Sequence, residues 1–164
     1  MRILGIDCGS QVTGYGVIDS DGVTHALVEA GAVRTDARDA LPLRLLRIGR
    51  GLREVIARHA PECAAVEDAF TSVNARSALK LSQVRGAVLF VLAEAGLPVK
   101  EYPPATVKGS VVGHGRAEKE QVAFMIRALL RLDAELRPLD ASDAVAVAVC
   151  HAVRSPRALM GARG

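Results

Sequence analysis

The sequence contains no tryptophan, and only three phenylalanines and two tyrosines occur in its 164 residues. The aliphatic residues must therefore supply the core, and with 50% hydrophobic residues the chain is not intrinsically disordered. No apolar run reaches the length of a membrane span, and no basic segment followed by an apolar one marks a secretory signal. We therefore expect one globular domain that acts in the cytoplasm and not at a membrane.

Cysteine is also scarce. Cys8, Cys63 and Cys150 are an odd number of thiols, and none of them forms a CxxC pair with another. This pattern is typical of small buried residues in a reducing compartment, and it excludes a disulfide framework or a cysteine zinc site.

The charge is mildly basic, with 21 Lys and Arg against 18 Asp and Glu residues. Two basic runs carry most of it. The first comprises Arg34, Arg38, Arg44, Arg47, Arg50, Arg53 and Arg58, and the second comprises Lys100, Lys108, Arg116, Lys119, Arg127 and Arg131. Each run is consistent with a solvated helix face or with a surface that binds phosphates.

The hydrophobic pattern predicts ten elements in the order β-β-β-α-β-α-β-α-α-α. The predicted strands are 2–6, 11–20, 23–35, 63–66 and 99–102, and the predicted helices are 41–59, 74–95, 106–112, 117–132 and 139–153. Helices between the later strands indicate parallel crossovers. The expected fold is α/β, a five-stranded mixed sheet with helices on both faces, formed by residues 1–154, with 155–164 as a short flexible tail.

If the first and fourth strands are neighbours in this sheet, four carboxylates are expected to meet at one of its edges. Asp7 ends the first strand, Glu67 ends the fourth, and Asp140 and Asp143 share a face of the last helix. Oxygen ligands in this number suit Mg²⁺ or Mn²⁺, and two such ions would clamp the attacking and leaving oxygens of a phosphodiester. The structural alternatives are a helix cap at Asp140 and a solvated strand end at Glu67.

The chain resembles the RuvC Holliday junction resolvases along nearly its whole length. The resemblance is carried by GIDCGSQVTGYGVI (5–18), VEDAFTSVNARSALKLSQVRGAV (66–88), VKGSVVGHGRAEKEQV (107–122) and DASDAVAVAVCHA (140–152). It implies an RNase H-like fold and a homodimer formed through the helix around 75–95. It also implies paired, metal-dependent nicking of two like-polarity strands of a four-way junction, leaving ligatable 5′-phosphate and 3′-hydroxyl ends, in recombination and repair.

The resemblance assigns roles to individual residues. Asp7, Glu67, Asp140 and Asp143 correspond to the metal ligands, Lys108 and Lys119 to basic residues at the cleavage site, and Phe70 to an aromatic that engages bases near the branch point. The expected DNA-binding set is Phe70, Asn74, Arg76, Lys80, Lys108, Arg116 and Lys119. The implied partners are the RuvA and RuvB branch-migration proteins. One departure is Cys8, where the pattern leads us to expect proline, and we do not expect it to abolish activity.

Two alternatives remain open at this stage. A non-catalytic junction-binding module would bind the same DNA, although all four carboxylate positions are filled here. An actin-like ATP-binding phosphotransferase also begins with a strand like GIDCGS, but it needs a second related domain, for which 164 residues leave no room. Cleavage and ATP-binding assays separate these classes.

Overall fold

The computed structural model describes residues 1–68 and 75–155. The strands are β1 (Arg2–Asp7), β2 (Val12–Ser20), β3 (His25–Arg34), β4 (Cys63–Glu67) and β5 (Val99–Tyr102). The helices are α1 (Leu41–His59), α2 (Ala75–Glu94), α3 (Pro104–Val112), α4 (Lys119–Leu129) and α5 (Leu139–Arg154). The predicted order of elements is confirmed. Within the described ranges, no helix combines the length and apolarity that a membrane span requires.

The five strands form one mixed sheet in the order β3-β2-β1-β4-β5. Strands β1, β2 and β3 are antiparallel neighbours, whereas β4 runs parallel to both β1 and β5. Strand β1 lies at the centre and is covered on both faces, which explains why its sequence is continuously apolar. The neighbouring position of β1 and β4, on which the predicted carboxylate site depends, is confirmed.

Alternate residues of β1 contribute to two separate cores. Ile3 packs on one face with residues of α3, α4 and α5, and Leu4 packs on the other with residues of α1 and α2. The predicted arrangement of helices on both faces is therefore confirmed. Both layers are built mainly from Ala, Val, Leu and Ile, as the lack of aromatic residues requires.

Several predicted boundaries are wrong by a few residues, each for a local reason. Strand β3 begins at His25 because the Asp21 carboxylate accepts hydrogen bonds from the N–H groups of Val23 and Thr24, at 2.8 and 2.7 Å, and extends the turn. Helix α3 begins at Pro104, because proline is well accommodated in a first helical turn.

Helix α4 is shorter than predicted at both ends. At its start, the backbone N–H of Glu118 donates to the Gln121 side chain at 2.8 Å, which fixes the first turn at Lys119. Beyond its end, Arg131 adopts a left-handed backbone with φ of 52°, which a helix cannot continue through.

Helix α1 has the predicted bounds, but one of its arginines does not lie on the solvated side. Arg44 is buried, and its guanidinium donates hydrogen bonds to the carbonyl oxygen of Ser10 and to the Thr35 hydroxyl. The start of α1 is thereby fixed against the loop that follows Asp7. The interpretation of the whole first basic run as one exposed face was wrong at this position.

Candidate active site

Two carboxylates emerge side by side from the centre of the sheet. Asp7 and Glu67 are the last residues of β1 and β4, and these parallel strands are in register up to the pair Ile6 and Val66. Because parallel strands end at the same edge, the two side chains are brought to one point. The predicted convergence of these two strand ends is confirmed by the strand order, whereas the role of the two carboxylates as metal ligands stays a prediction.

Glycines in the sheet bring the last helix to the same point. A Cβ atom at Gly14 would overlap the carbonyl oxygen of Asp140, and one at Gly5 would overlap that of Ala144. Gly14 is also the register partner of Asp7. Helix α5 can therefore lie directly on β1 and β2, so that its first turn reaches the end of β1. The sequence analysis did not identify this role of the glycines, although their alternation in TGYG was a visible signal.

A cavity of about 370 Å³ lies where these strand ends and α5 meet α3 and α4. Its polar lining consists of Asp7, Glu67, Asp143, Lys108 and Lys119. The apolar part of its lining is Pro104, Val107, Val122 and Ala146. Three of the four predicted ligands and both predicted lysines therefore face one space, which lies between β1, β4, α3, α4 and α5.

The carboxylates in this cavity disfavour one another's ionisation. Burial raises the pKa of Asp7 well above its usual range, and the nearby charges of Glu67 and Asp143 raise it further. Burial and then Asp143 also raise the pKa of Glu67, while a hydrogen bond from Asp7 partly offsets this. The Asp7 and Glu67 carboxyl groups therefore hold their protons to higher pH than isolated acids do, as crowded carboxylates do.

The two lysines contribute positive charge at the opening. The Nζ atom of Lys119 donates a hydrogen bond to Oδ2 of Asp143 at 2.6 Å, and this bond raises the pKa of the lysine. Lys108 is half-buried on α3, and its charge lowers the pKa of Glu67. Both lysines line the cavity, and the Lys119 side chain is also 59% exposed to solvent.

The donor set suits a hard divalent cation, although the side chains are not yet arranged around one. In residues 1–68 and 75–155, no three His, Cys, Asp or Glu side chains are close enough as they stand to hold a metal ion. Nevertheless, three carboxylates line one space, the pKa values of Asp7 and Glu67 are raised, and the Lys119 ammonium pairs with Asp143. A divalent cation would relieve the repulsion between these carboxylates and would bind the same oxygens.

The remaining predicted residues lie at varying distances from this centre. Asp140 is half-buried beside the cavity and outside its lining, and its charge adds to the raised pKa of Asp7. Arg76 and Lys80 are exposed in the first turns of α2, and Arg116 is exposed in the loop before α4. Phe70 and Asn74 lie outside the described residues.

An ion-pair network that the sequence analysis missed supports the end of β4. Arg85 of α2 pairs with Asp68 at 3.3 Å and with Glu101 of β5. The backbone N–H of Asp68 also donates to the carbonyl oxygen of Tyr102 at 2.8 Å. The residue after Glu67 is thus held by both β5 and α2. Nothing in a single sequence indicates a pairing of residues so far apart.

Cys8 follows Asp7 directly, and its thiol is chemically protected. The side chain is only 8% exposed, and burial, with the charge of Asp7, raises its pKa to about 12. A thiol in this state is a poor nucleophile and a poor target for oxidation.

Comparisons with known proteins agree on one family. The family model for the crossover junction endodeoxyribonuclease RuvC matches residues 3–151, a range that includes all four predicted ligand positions. The RuvC protein of Geobacter metallireducens is 53% identical over 152 residues, covering 93% of this chain and 92% of that protein. The RuvC protein of Koribacter versatilis is 50% identical over 153 residues, covering 92% of each.

A solved structure extends the match to three dimensions. Thermus thermophilus RuvC in complex with a Holliday junction substrate is similar with a TM-score of 0.87 and 38% identity, and the match covers 93% of each chain. The predicted RNase H-like fold is thereby confirmed.

Proposed function

Because the chain belongs to the RuvC family of crossover junction endodeoxyribonucleases, we propose that it resolves Holliday junctions by metal-dependent nicking. The reaction would cut two strands of like polarity and leave ligatable 5′-phosphate and 3′-hydroxyl ends. The observation that supports this most directly is the cavity in which Asp7, Glu67 and Asp143 meet two lysines. Three carboxylates opposite two lysines are suited to binding a divalent metal together with a phosphodiester, and such a group has no role in a simple binding module.

The proposed cofactor is Mg²⁺ or Mn²⁺, with two ions in each site. The ligands would be Asp7, Glu67, Asp140 and Asp143, whose oxygens are those that these ions prefer. When bound, such ions activate the attacking water and stabilise the charge on the leaving oxygen. The protein would hold the four carboxylates on two strand ends and one helix turn, so that their mutual repulsion is relieved only when cations bind.

The basic residues would hold the DNA. We assign Lys108 and Lys119 to the scissile phosphate, because both line the cavity. Arg76, Lys80 and Arg116 are exposed and would contact the backbone further out. Phe70 and Asn74 stay predictions from the sequence, with Phe70 stacking on an unpaired base at the branch point.

A homodimer would place two such sites on one junction. Helix α2 supports this proposal, because Leu79 and Phe90 are 61% and 64% exposed on it. A Cβ atom at Gly86, between them, would meet no atom within 4 Å, so a second helix has room to approach. A symmetric contact through α2 would explain paired nicking, since one two-fold axis then relates both the protein and the junction. We further propose that the dimer acts in the cytoplasm with RuvA and RuvB.

The decisive experiment compares a synthetic four-way junction with a linear duplex, each incubated with and without Mg²⁺ or Mn²⁺. We expect symmetric nicks in the junction only when a divalent ion is present, and ligation of the products would establish their ends. Binding to the junction without nicking under any ionic condition would instead favour the non-catalytic module, and tight ATP binding would favour the phosphotransferase.

A further inference from the structure

A second polar groove, of about 610 Å³, lies between α1 and the edge strand β3. Arg34, Arg47 and Arg50 line it together with the carboxylates of Asp39 and Glu54. It is separate from the cavity between β1, β4 and α5, and the activity proposed above leaves it without a role.

The three arginines of this groove differ from the others in the first basic run. Arg53 donates to Glu94 at 2.7 Å, Arg58 donates to Glu29 at 2.9 Å, and Arg38 pairs with Asp36. Arg44 is buried and bonded to Ser10 and Thr35. By contrast, the side chains of Arg34, Arg47 and Arg50 make no ion pair or hydrogen bond with any residue in 1–68 or 75–155, and all three are exposed. Within the first basic run, the guanidinium groups without a hydrogen-bonded partner therefore lie at one groove, although Arg47 is near enough to Asp36 to lower its pKa.

The groove opens at the same end of the sheet as the carboxylate cavity. Asp7 pairs with Gly14, which pairs with Ala32, so Arg34 lies just beyond the level of Asp7 on the outer strand. Two strand spacings separate β3 from β1, which is roughly 10 Å. Arg47 and Arg50 are three residues apart on α1, and therefore project from one side of the helix towards the same space.

We propose that this groove binds the phosphodiester backbone of a junction arm, beyond the strands that enter the cleavage site. This inference rests on the proposed function. Guanidinium groups bind phosphates through two parallel hydrogen bonds, and free ones at the catalytic end of the sheet suit a duplex leaving the branch point. Asp39 precedes α1 and Glu54 follows Arg50 by one turn, so these carboxylates limit the contact to a short stretch of backbone.

The test measures junction affinity against salt concentration for the variant R47Q/R50Q. Two junctions of the same arm length are used, one with an ordinary backbone and one with uncharged methylphosphonate linkages in each arm a few base pairs beyond the cleavage site, where the groove would lie. Each lost phosphate contact makes the slope of log affinity against log salt shallower by about 0.9, so we expect a change of about 2 with the ordinary junction. With the neutralised junction we expect the variant and the unaltered protein to have the same slope, and Mg²⁺-dependent nicking of that junction at the same rate.

The matched control is R53Q/R154Q, which removes the same charge from α1 and from the far end of α5. A second variant, R47K/R50K, keeps the charge and should restore most of the slope, and thermal unfolding establishes that each protein is folded. An unchanged slope for R47Q/R50Q, or an equal change in the control, overturns the proposal. Unchanged DNA binding would instead favour a protein segment as the occupant of the groove, because Leu43 and Leu46 are exposed there. Failure of the unaltered protein to nick any junction contradicts the proposed function instead, whatever the slopes are.

Discussion

Asp7 and Glu29 are both partly buried carboxylates of one sheet, but their surroundings shift their pKa values in opposite directions. Glu29 of β3 accepts hydrogen bonds from the Tyr15 hydroxyl at 2.7 Å and from Arg58 at 2.9 Å, and its Oε2 lies 2.6 Å from Nε2 of His59. These bonds lower the pKa of Glu29 to about 2, and the bond from Tyr15 has the largest effect. Asp7 has two other carboxylates as neighbours, and burial and these charges raise its pKa.

Glu29 is therefore a carboxylate that stabilises the fold, whereas Asp7 is one that the fold holds in place for the proposed binding of a cation. An acid with complete partners contributes to stability, whereas a group of acids without them lowers stability until a cation binds. Sequence alone presents both residues in the same way, as acids on apolar strands. The contrast can be tested by removing each charge in turn.

The largest effect is expected for Asp7→Asn. This change keeps the size of the side chain and removes a proposed ligand charge, so cleavage should fall by several powers of ten while junction binding persists. Because a repulsive charge disappears, the melting temperature without metal should stay the same or rise. Nicking, mobility shift and thermal unfolding of one preparation measure all three quantities. Near-normal cleavage would remove Asp7 from the site.

Phe70→Ala tests the same distinction between function and stability on the DNA side, because the proposed role of Phe70 is to contact the substrate and not to stabilise the fold. Stacking on an unpaired base contributes roughly 1–3 kcal/mol, so junction cleavage should fall by one to a few powers of ten with little effect on linear DNA. The melting temperature and the dimer should be unchanged. A clear loss of stability, with normal nicking by the folded fraction, would show instead that Phe70 anchors its loop to the core.

Gly14→Ala should disturb the site through packing alone. The new Cβ atom would overlap the Asp140 carbonyl, and relief by moving α5 away from β2 should cost roughly 1–3 kcal/mol of stability. Since that movement also carries Asp143 away from Asp7, cleavage should fall by more than binding does. The matched control is Gly109→Ala, where a Cβ atom meets nothing within 4 Å and a helix should gain up to about 1 kcal/mol. Equal behaviour of the two variants would contradict the packing role of Gly14.

The order of elements could be predicted from the hydrophobic period, which is a local signal. Helix α1 was predicted with its observed bounds for the same reason. The neighbouring position of β1 and β4, which brings Asp7 beside Glu67, is not local, and the RNase H-like fold was predicted from the resemblance to the RuvC family. The buried Arg44, the Arg85 network and the glycine contacts with α5 could not be predicted, since each depends on residues distant in sequence that only the packed fold brings together. For the same reason, the sequence could not show which arginines of the first basic run have hydrogen-bonded partners and which do not.

The smallest effect on activity, and a distinct effect on stability, is expected for Glu29→Gln. The pKa of Glu29 is lowered from 4.5 to about 2 in the folded protein, so the ionised group stabilises the fold above about pH 4.5. That contribution is lost as the pH falls through about 2, where the carboxyl is protonated in both states.

Since the side chain of Glu29 is 26% exposed, solvent screening limits the loss of stability in the Glu29→Gln variant to about 1–2 kcal/mol at neutral pH. Urea unfolding between pH 7 and 2 should show two curves that converge in acid, while nicking by the folded variant stays normal. The matched control is Glu54→Gln, on α1 and without an ion pair in the described residues, which should unfold at the same urea concentration as the unaltered protein at pH 7. Parallel curves for Glu29→Gln and the unaltered protein, or a loss of nicking, would remove the distinction between the two carboxylates.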